Sequence, residues 1–235
     1  MMRYIALCVF FLGFGSVVEA KYHSQVGQDK YVHEQYFRNM KGGVFVDIGA
    51  HDGVTINNTY FFEKERNWNG MCIEPIPYMY KRLRQNRSCV CVEGAIAKEH
   101  KKASFLCFEN NEFLSGLKDA YDPRHLKRIE SREKDTQSPY HGTSRYIEVQ
   151  CYTLNELLAK HHFSHVNFLS IDTEGNEFDI LQSIDFSKYT IDVVVVEDNY
   201  QDKRFIPFME SKGFKFVRRL KHDLLFVNKN FRQSA

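Results

Sequence analysis

Apolar positions recur along the chain with two periods, and their alternation predicts the fold. Val44-Phe45-Val46-Asp47-Ile48 is an apolar run broken by one acid, the pattern of a buried strand. Gly49-Ala50-His51-Asp52-Gly53 then reads as a tight turn. Thr55–Arg66 carries Ile56, Tyr60, Phe61 and Phe62 at helical spacing. Met71-Cys72-Ile73 predicts a second strand ending at Glu74-Pro75, and Pro77 opens a helix to Asn86. Cys89–Val92 predicts a third strand and Ala103–Phe108 a further one. Before all of these, Gln28–Arg38 predicts a helix broken by Gly42-Gly43.

The rhythm fails between Glu109 and Arg145. A short helix is expected over Leu117–Ile129 and a polar loop over Glu130–Arg145, marked by Ser138-Pro139 and His141-Gly142. Regularity returns with a strand at Ile147–Cys151. Thr153-Leu154-Asn155-Glu156 is a capping box for a helix to about Lys160. Strands follow at Val166–Ile171 and Asp192–Val196, with helices at Phe178–Ile184 and Phe205–Lys212. Phe214–Leu220 and Leu224–Val227 close the chain as an antiparallel hairpin. Strands alternating with helices predict an α/β fold: a doubly wound, mostly parallel seven-stranded sheet of Rossmann type with that hairpin at its C-terminal end.

Charge narrows the function classes. The 235 residues hold 32 Lys and Arg against 30 Asp and Glu, a net charge of +2, which argues against a nucleic-acid surface. The local basic run Lys212, Lys215, Arg218, Arg219 and Lys221 is expected to decorate an edge strand. At the N-terminus, Arg3, the apolar run Ile5–Gly15 and Val18-Glu19-Ala20 form the pattern of a secretory signal peptide. Export is therefore expected, with residues 21–235 as one domain and no later membrane span. Beyond Cys8 the cysteines are Cys72, Cys89, Cys91, Cys107 and Cys151, with no zinc spacing. Buried thiols are expected, with one or two disulfides left open.

Candidate chemistry collects where strands end. In a doubly wound sheet the ligand sits beyond the C-terminal strand ends, at the point where strand order reverses. Asp47, Glu74, Asp172, Glu197 and Asp198 all fall at such ends. Glu74 comes 21 residues after Gly53, a position that suits a carboxylate gripping ribose hydroxyls. Gly49 and Gly53 give the turn backbone freedom, but His51 stands where a dinucleotide fingerprint wants its middle glycine. Asp47 would repel a pyrophosphate and welcome a cationic amino-acid group. Both features favour S-adenosylmethionine over NAD.

Three motifs in order then resemble the FkbM-type methyltransferases, a branch of the class I S-adenosylmethionine-dependent enzymes. They are Phe45–Gly53, Ile73-Glu74-Pro75 with its following helix and Asn86, and Ser170–Glu177. The likeness covers roughly Ser24 to Asn228. It implies a class I fold and methyl transfer, usually to a hydroxyl oxygen on a sugar or natural product. It implies that Asp47, Gly49, His51, Gly53 and Glu74 hold the cofactor, with Ala95 and Ile96 near the adenine. His51 departs from the small or amide residue usual at that turn, and the Glu109–Arg145 insertion has no assigned counterpart.

Methyl transfer to a hydroxyl needs alignment and removal of a proton. Asp172 and Glu174 stand where the acceptor should meet the methyl group, and either serves as a candidate general base. Alternatively Asp172 with Glu197 and Asp198 holds a hard divalent cation that lowers the hydroxyl's pKa. Glu174 has a structural reading too, as a cap on the Phe178 helix, and Glu197-Asp198 has one as a solvated strand end. His51, His125 and His141 are weaker candidate bases. Phe113, Leu114, Leu117, Tyr121, Leu126 and Ile129 anchor the first half of the insertion, and the second half has only Tyr140 as a large apolar residue, which suits a lid over the acceptor. A secreted binding protein on the same scaffold, and less favoured an NAD-linked oxidoreductase, remain as alternative readings.

Overall fold

The computed structural model describes residues 21–233; the expected signal peptide at residues 1–20 lies outside them. In chain order the elements are α1 (Gln28–Val32), β1 (Val44–Ile48), α2 (Tyr60–Arg66), β2 (Asn69–Glu74), α3 (Pro77–Asn86), β3 (Val90–Glu93), β4 (Ala95–Ile96), β5 (Lys101–Glu109) and β6 (Gly116–Leu117). Then come α4 (Pro123–Lys134), β7 (Thr143–Tyr152), α5 (Leu154–Lys160), β8 (His165–Ile171), α6 (Glu177–Ser183), β9 (Thr190–Glu197), α7 (Phe205–Ser211), β10 (Phe214–Leu220) and β11 (Asp223–Asn228). A π-helical turn, His33–Phe37, continues α1.

The main sheet has seven strands in the order β10-β11-β9-β8-β1-β2-β3. Strands β3, β2, β1, β8 and β9 run parallel, and β11 is antiparallel to both β9 and β10. Each central strand is apolar on both sides because both are covered. Val46, Ile48, Met71, Ile73, Leu169 and Ile171 pack with Leu157, Leu158, Ile180 and Leu181. Phe45, Cys72, Phe168 and Val193 pack with Val32, Phe37, Phe61, Phe62 and Leu83. The chain builds outward from β1 to β3, then returns to add β8 on the other side of β1. The reversal therefore falls between β1 and β8, beneath Asp47 and Asp172. The basic run does decorate an edge, since β10 is the last strand of the sheet.

A second, four-stranded sheet, β4-β7-β5-β6, stands beside the first. Its backbone is a long antiparallel ladder from Lys101↔Cys151 to Glu109↔Thr143. The sequence pattern showed two of these strands but not that they pair across the insertion. The insertion is correspondingly more ordered than expected. Its helix is α4, not Leu117–Ile129. Pro123 takes the first helical position, and Asp122 Oδ1 caps the helix by accepting from the Arg124 amide at 2.8 Å. The longest stretch of the insertion without helix or strand is the turn from 135 to 142.

The helix expected from Thr55 also starts later, at Tyr60. Asp52 Oδ1 accepts from the amides of Val54 and Thr55 (2.9 and 2.8 Å), and Asn57 Oδ1 from those of Thr59 and Tyr60 (2.9 and 2.8 Å). Short polar side chains thus take the backbone donors that a helix would use. Ile56, expected on the buried side, sits at φ 46° and is 41% exposed. All five cysteines among the described residues are free thiols, with Cys72, Cys107 and Cys151 buried. Among the described residues no helix is long and apolar enough to cross a membrane.

Candidate active site

A cavity of about 680 Å³ opens over the C-terminal ends of β1, β2, β8 and β9. Asp47, Gly49, His51, Glu74, Ala95, Ile96, Asp172, Glu174 and Glu197 all line it. Gly53 does not. Its carbonyl accepts from Arg87 Nη1 at 3.1 Å on the far side of the loop.

One half of the cavity is set by β1 and β2. Asp47 is buried, and its Oδ2 accepts from Asn57 Nδ2 (2.8 Å) and Thr59 Oγ1 (2.7 Å). Burial raises its pKa, partly offset by the Arg87 guanidinium and those two donors. Glu74 is held from both ends: Oε2 accepts from the His51 amide (2.9 Å) and Oε1 from the Ile76 amide (2.8 Å). Burial nevertheless pushes its pKa up to about 7, with Asp47 and Glu112 adding to the rise. Gly49, at φ 86°, lies against β8, and a Cβ there would stand 1.7 Å from the Asp172 carbonyl oxygen. This contact explains a glycine at the turn better than room for a ligand does. The His51 ring stacks on Phe113 of the insertion, centroids 4.4 Å apart, and burial lowers its pKa.

Beneath this half, Arg87 fixes the loop that carries Asn57 and Thr59. Its fully buried guanidinium pairs with Glu63 Oε2 at 2.5 Å and donates to Asn57 Oδ1 (3.2 Å) and Thr59 Oγ1 (3.0 Å). Burial alone would raise Glu63, but Arg87 and the Ser88 donors outweigh it and hold the carboxyl at about 2. None of Asn57, Thr59 and Arg87 was singled out from the sequence. The polar run Asn57-Asn58-Thr59 inside an otherwise apolar helical pattern was the available signal.

The other half is built from the ends of β8 and β9. After Asp172 the chain turns, and the Glu177 carboxylate closes the turn. It accepts from the amides of Thr173 (2.9 Å) and Gly175 (3.0 Å) and from Thr173 Oγ1 (2.9 Å). Glu174 does not cap the helix that follows; Glu177, the first residue of that helix, holds the turn before it instead. Glu174 itself, at the left-handed φ of 60°, turns towards the cavity. Its Oε2 accepts from Asn199 Nδ2 at 3.0 Å and lies 3.4 Å from His125 Nδ1. His125 is fully buried, and its Nε2 faces the Leu114 carbonyl at 3.1 Å. A carbonyl only accepts, so the proton sits on Nε2 and the Nδ1 lone pair is left facing Glu174.

Asp172, Glu174 and Glu197 each bring a carboxylate oxygen within 4.8 Å of the others. Asp172 is exposed and lines the cavity, while Glu174 and Glu197 are half-buried. Burial raises the pKa of all three, and neighbouring carboxylates push them further. Three such groups cannot all stay ionised without a proton or a cation among them. Asp198, expected in a cation site, turns away: it pairs with Arg219 Nη2 at 2.6 Å and accepts from the Asp202 amide at 2.7 Å. Glu174 takes the place given to it. His125 and His141 do not line the cavity, and His141 is bound to the Arg132 carbonyl through Nδ1 at 3.1 Å.

The site can thus hold an uncharged hydroxyl-bearing ligand at Glu74, a cation near Asp47, and a proton or hard cation at the three-carboxylate end. Against known proteins, the model of the methyltransferase FkbM domain matches residues 47–218. No curated protein matches the chain. Among solved structures it is similar to the methyltransferase FkbM from Methylobacillus flagellatus KT, at 10% identity and TM-score 0.46 over 85% of this chain and 50% of that one. The chain thus spans about half the length of that protein. It is similar also to the precorrin-6y C5,15-methyltransferase from Geobacter metallireducens GS-15 (12% identity, TM-score 0.38, 85% of each chain). A third is TrmK from M. capricolum in complex with S-adenosyl-homocysteine (10% identity, TM-score 0.40, 88% of this chain and 70% of that one). The family match covers well over half of the chain and includes both halves of the cavity, so the protein belongs to the FkbM methyltransferase family.

Proposed function

We propose that the protein is an S-adenosylmethionine-dependent methyltransferase acting on a hydroxyl oxygen of a sugar or another small or glycan-type acceptor. The observation that carries this is one cavity with two unlike ends, a pair of separately held carboxylates on β1 and β2 and a cluster of three beyond β8 and β9. The volume is of the size that buries a nucleoside-sized ligand. Glu74 is fixed by two backbone amides and keeps lone pairs for hydroxyl donors, which would relieve the strain of its buried charge. Asp47 is suited to the ammonium end of the cofactor, whose positive charge would favour the ionised form that burial opposes. When bound, the cofactor supplies an electrophilic methyl group.

The remaining steps fall to this chain. Asp172 accepts the hydroxyl proton as the nucleophile attacks, and its raised pKa makes it a better base than an ordinary carboxylate. Asn199 orients Glu174 beside it by donating to Oε2. Calorimetric titration with S-adenosylmethionine and with NAD tests the cofactor. Labelled methyl transfer to fractionated glycans and small hydroxyl compounds tests the acceptor. Glu74→Ala is expected to weaken S-adenosylmethionine binding ten- to a hundredfold, about 1.5–3 kcal/mol for charge-assisted hydrogen bonds. Wild-type affinity in a folded Glu74→Ala protein rejects the assignment, and preferential binding of NAD rejects the reading.

A further inference from the structure

The insertion helix α4 presents Arg124, Arg128 and Arg132 at positions i, i+4 and i+8, a spacing that puts three guanidinium side chains along one helix face. All three line the cavity. The face is held in place by its buried neighbours. His125 is bound to the Leu114 carbonyl, and Ile129 packs with Leu106, Phe108 and Leu114. The two outer arginines are engaged. Arg124 pairs with both oxygens of Asp122 (2.8 and 2.7 Å) and lies 4.5 Å from the Tyr200 ring centre. Arg132 lies 4.9 Å from the Tyr140 ring centre and donates to Ser138 Oγ at 3.2 Å. Arg128, between them, is exposed to the cavity mouth and has no ion pair, hydrogen bond or ring partner among the described residues. Lys221, on the β10–β11 turn, also lines the cavity. A cavity that is acidic where its strands end and basic along α4 separates two tasks: proton or cation handling at the strand ends, anion recognition at the mouth.

We propose that Arg128, flanked by Arg124 and Arg132, docks an oxyanion carried by the acceptor: a carboxylate, sulfate or phosphate monoester on the same molecule as the hydroxyl to be methylated. This rests on the methyl-transfer reading above and names its substrate class. A planar guanidinium with free donors matches such groups bidentately, and Arg132, whose partners are a hydroxyl and a ring, adds attraction, while the charge of Arg124 is compensated by Asp122.

The test uses the full chain and paired probes. These are an oligouronate and its carboxyl-reduced form, a sulfated oligosaccharide and its desulfated form, and a sugar phosphate and its parent sugar, with inorganic sulfate and phosphate as free ions. Titrations are run with and without S-adenosylhomocysteine. At least one charged probe should bind ten times or more tighter than its neutral twin. Arg128→Glu should erase that preference while leaving the thermal midpoint and S-adenosylmethionine affinity in place, and Arg128→Lys should restore part of it. Equal binding within every pair, or a preference that survives Arg128→Glu, overturns the proposal. Inorganic ions binding as tightly as the charged sugars overturn it too, since the site would then hold a free anion. If S-adenosylmethionine does not bind while the Arg128-dependent preference persists, the methyl-transfer reading fails and the anion site stands.

Discussion

Asp172 and Glu174 differ by two positions, yet their surroundings give them different work. Asp172 follows directly from β8, its amide bonded to the Ile48 carbonyl at 3.0 Å, so its place is fixed by the sheet. Glu174 is placed by a left-handed residue, and its carboxylate is held by Asn199. Asp172→Asn, isosteric but unable to take a proton, is expected to abolish turnover while changing cofactor affinity little, as measured by steady-state assay and calorimetry. Chelator separates the two chemistries open to the cluster. Activity lost with chelator and restored by magnesium assigns a cation to Asp172, Glu174 and Glu197, and unchanged activity leaves Asp172 as the base. The strand-end acids were legible in the sequence because strand order alone puts them on one rim. The choice between Glu174 and Asp198 was not, because it depends on backbone torsion at single residues and on the pairing of Asp198 with Arg219 across the hairpin.

At the level of elements, the loop before α2 decides how well Asp47 is supported. Arg87 reaches it from the end of α3 and also neutralises Glu63. Arg87→Ala leaves a buried carboxylate without its partner, so a loss of about 3–5 kcal/mol is expected in urea unfolding. A loss under 1 kcal/mol contradicts the arrangement. The sequence hid this loop because its apolar residues happen to fall at helical spacing, while the donors that prevent a helix come from Asp52 and Asn57. It hid the second sheet for another reason. The β5–β7 ladder joins residues up to fifty apart, and period-2 patterning says nothing of partners. We propose that the insertion nonetheless works as a lid, hinged on α4 and loosest in the turn from 135 to 142. Limited proteolysis should cut that turn in the free protein and spare it once S-adenosylhomocysteine and acceptor are bound. Equal cutting in both states removes the lid.

Across the whole molecule, the buried acids set the response to pH. Glu74, Asp47, Asp172, Glu174 and Glu197 all have folded pKa values above their unfolded ones, with Glu74 at about 7 against 4.5. Groups raised in this way stabilise the fold fully below the unfolded value, and the contribution is lost as pH rises through the folded value. Glu63, held at about 2, acts in the opposite window: its contribution is present above 4.5 and lost as pH falls towards 2. The ligand-free protein should therefore melt at its highest temperature in mildly acidic buffer, and the midpoint should fall between pH 5 and 7.5. A midpoint that climbs steadily over that interval in scanning calorimetry contradicts the burial of these acids.

The second sheet leaves the main fold and rejoins it at almost one place. Ala95 and Cys151 are paired neighbours, and the Ala97 amide bonds the Tyr152 carbonyl at 2.8 Å. Everything between, including α4 with its arginines, enters and leaves the main fold by this neck and touches it again by side-chain contacts at the cavity, such as Phe113 on His51 and Arg124 on Tyr200. A segment whose two ends already meet changes length at little entropic cost to its host. It is therefore a cassette. On the methyl-transfer reading proposed above, a descendant of such a chain could exchange the part that carries the α4 arginines while inheriting the Asp47 and Glu74 end of the cavity unchanged.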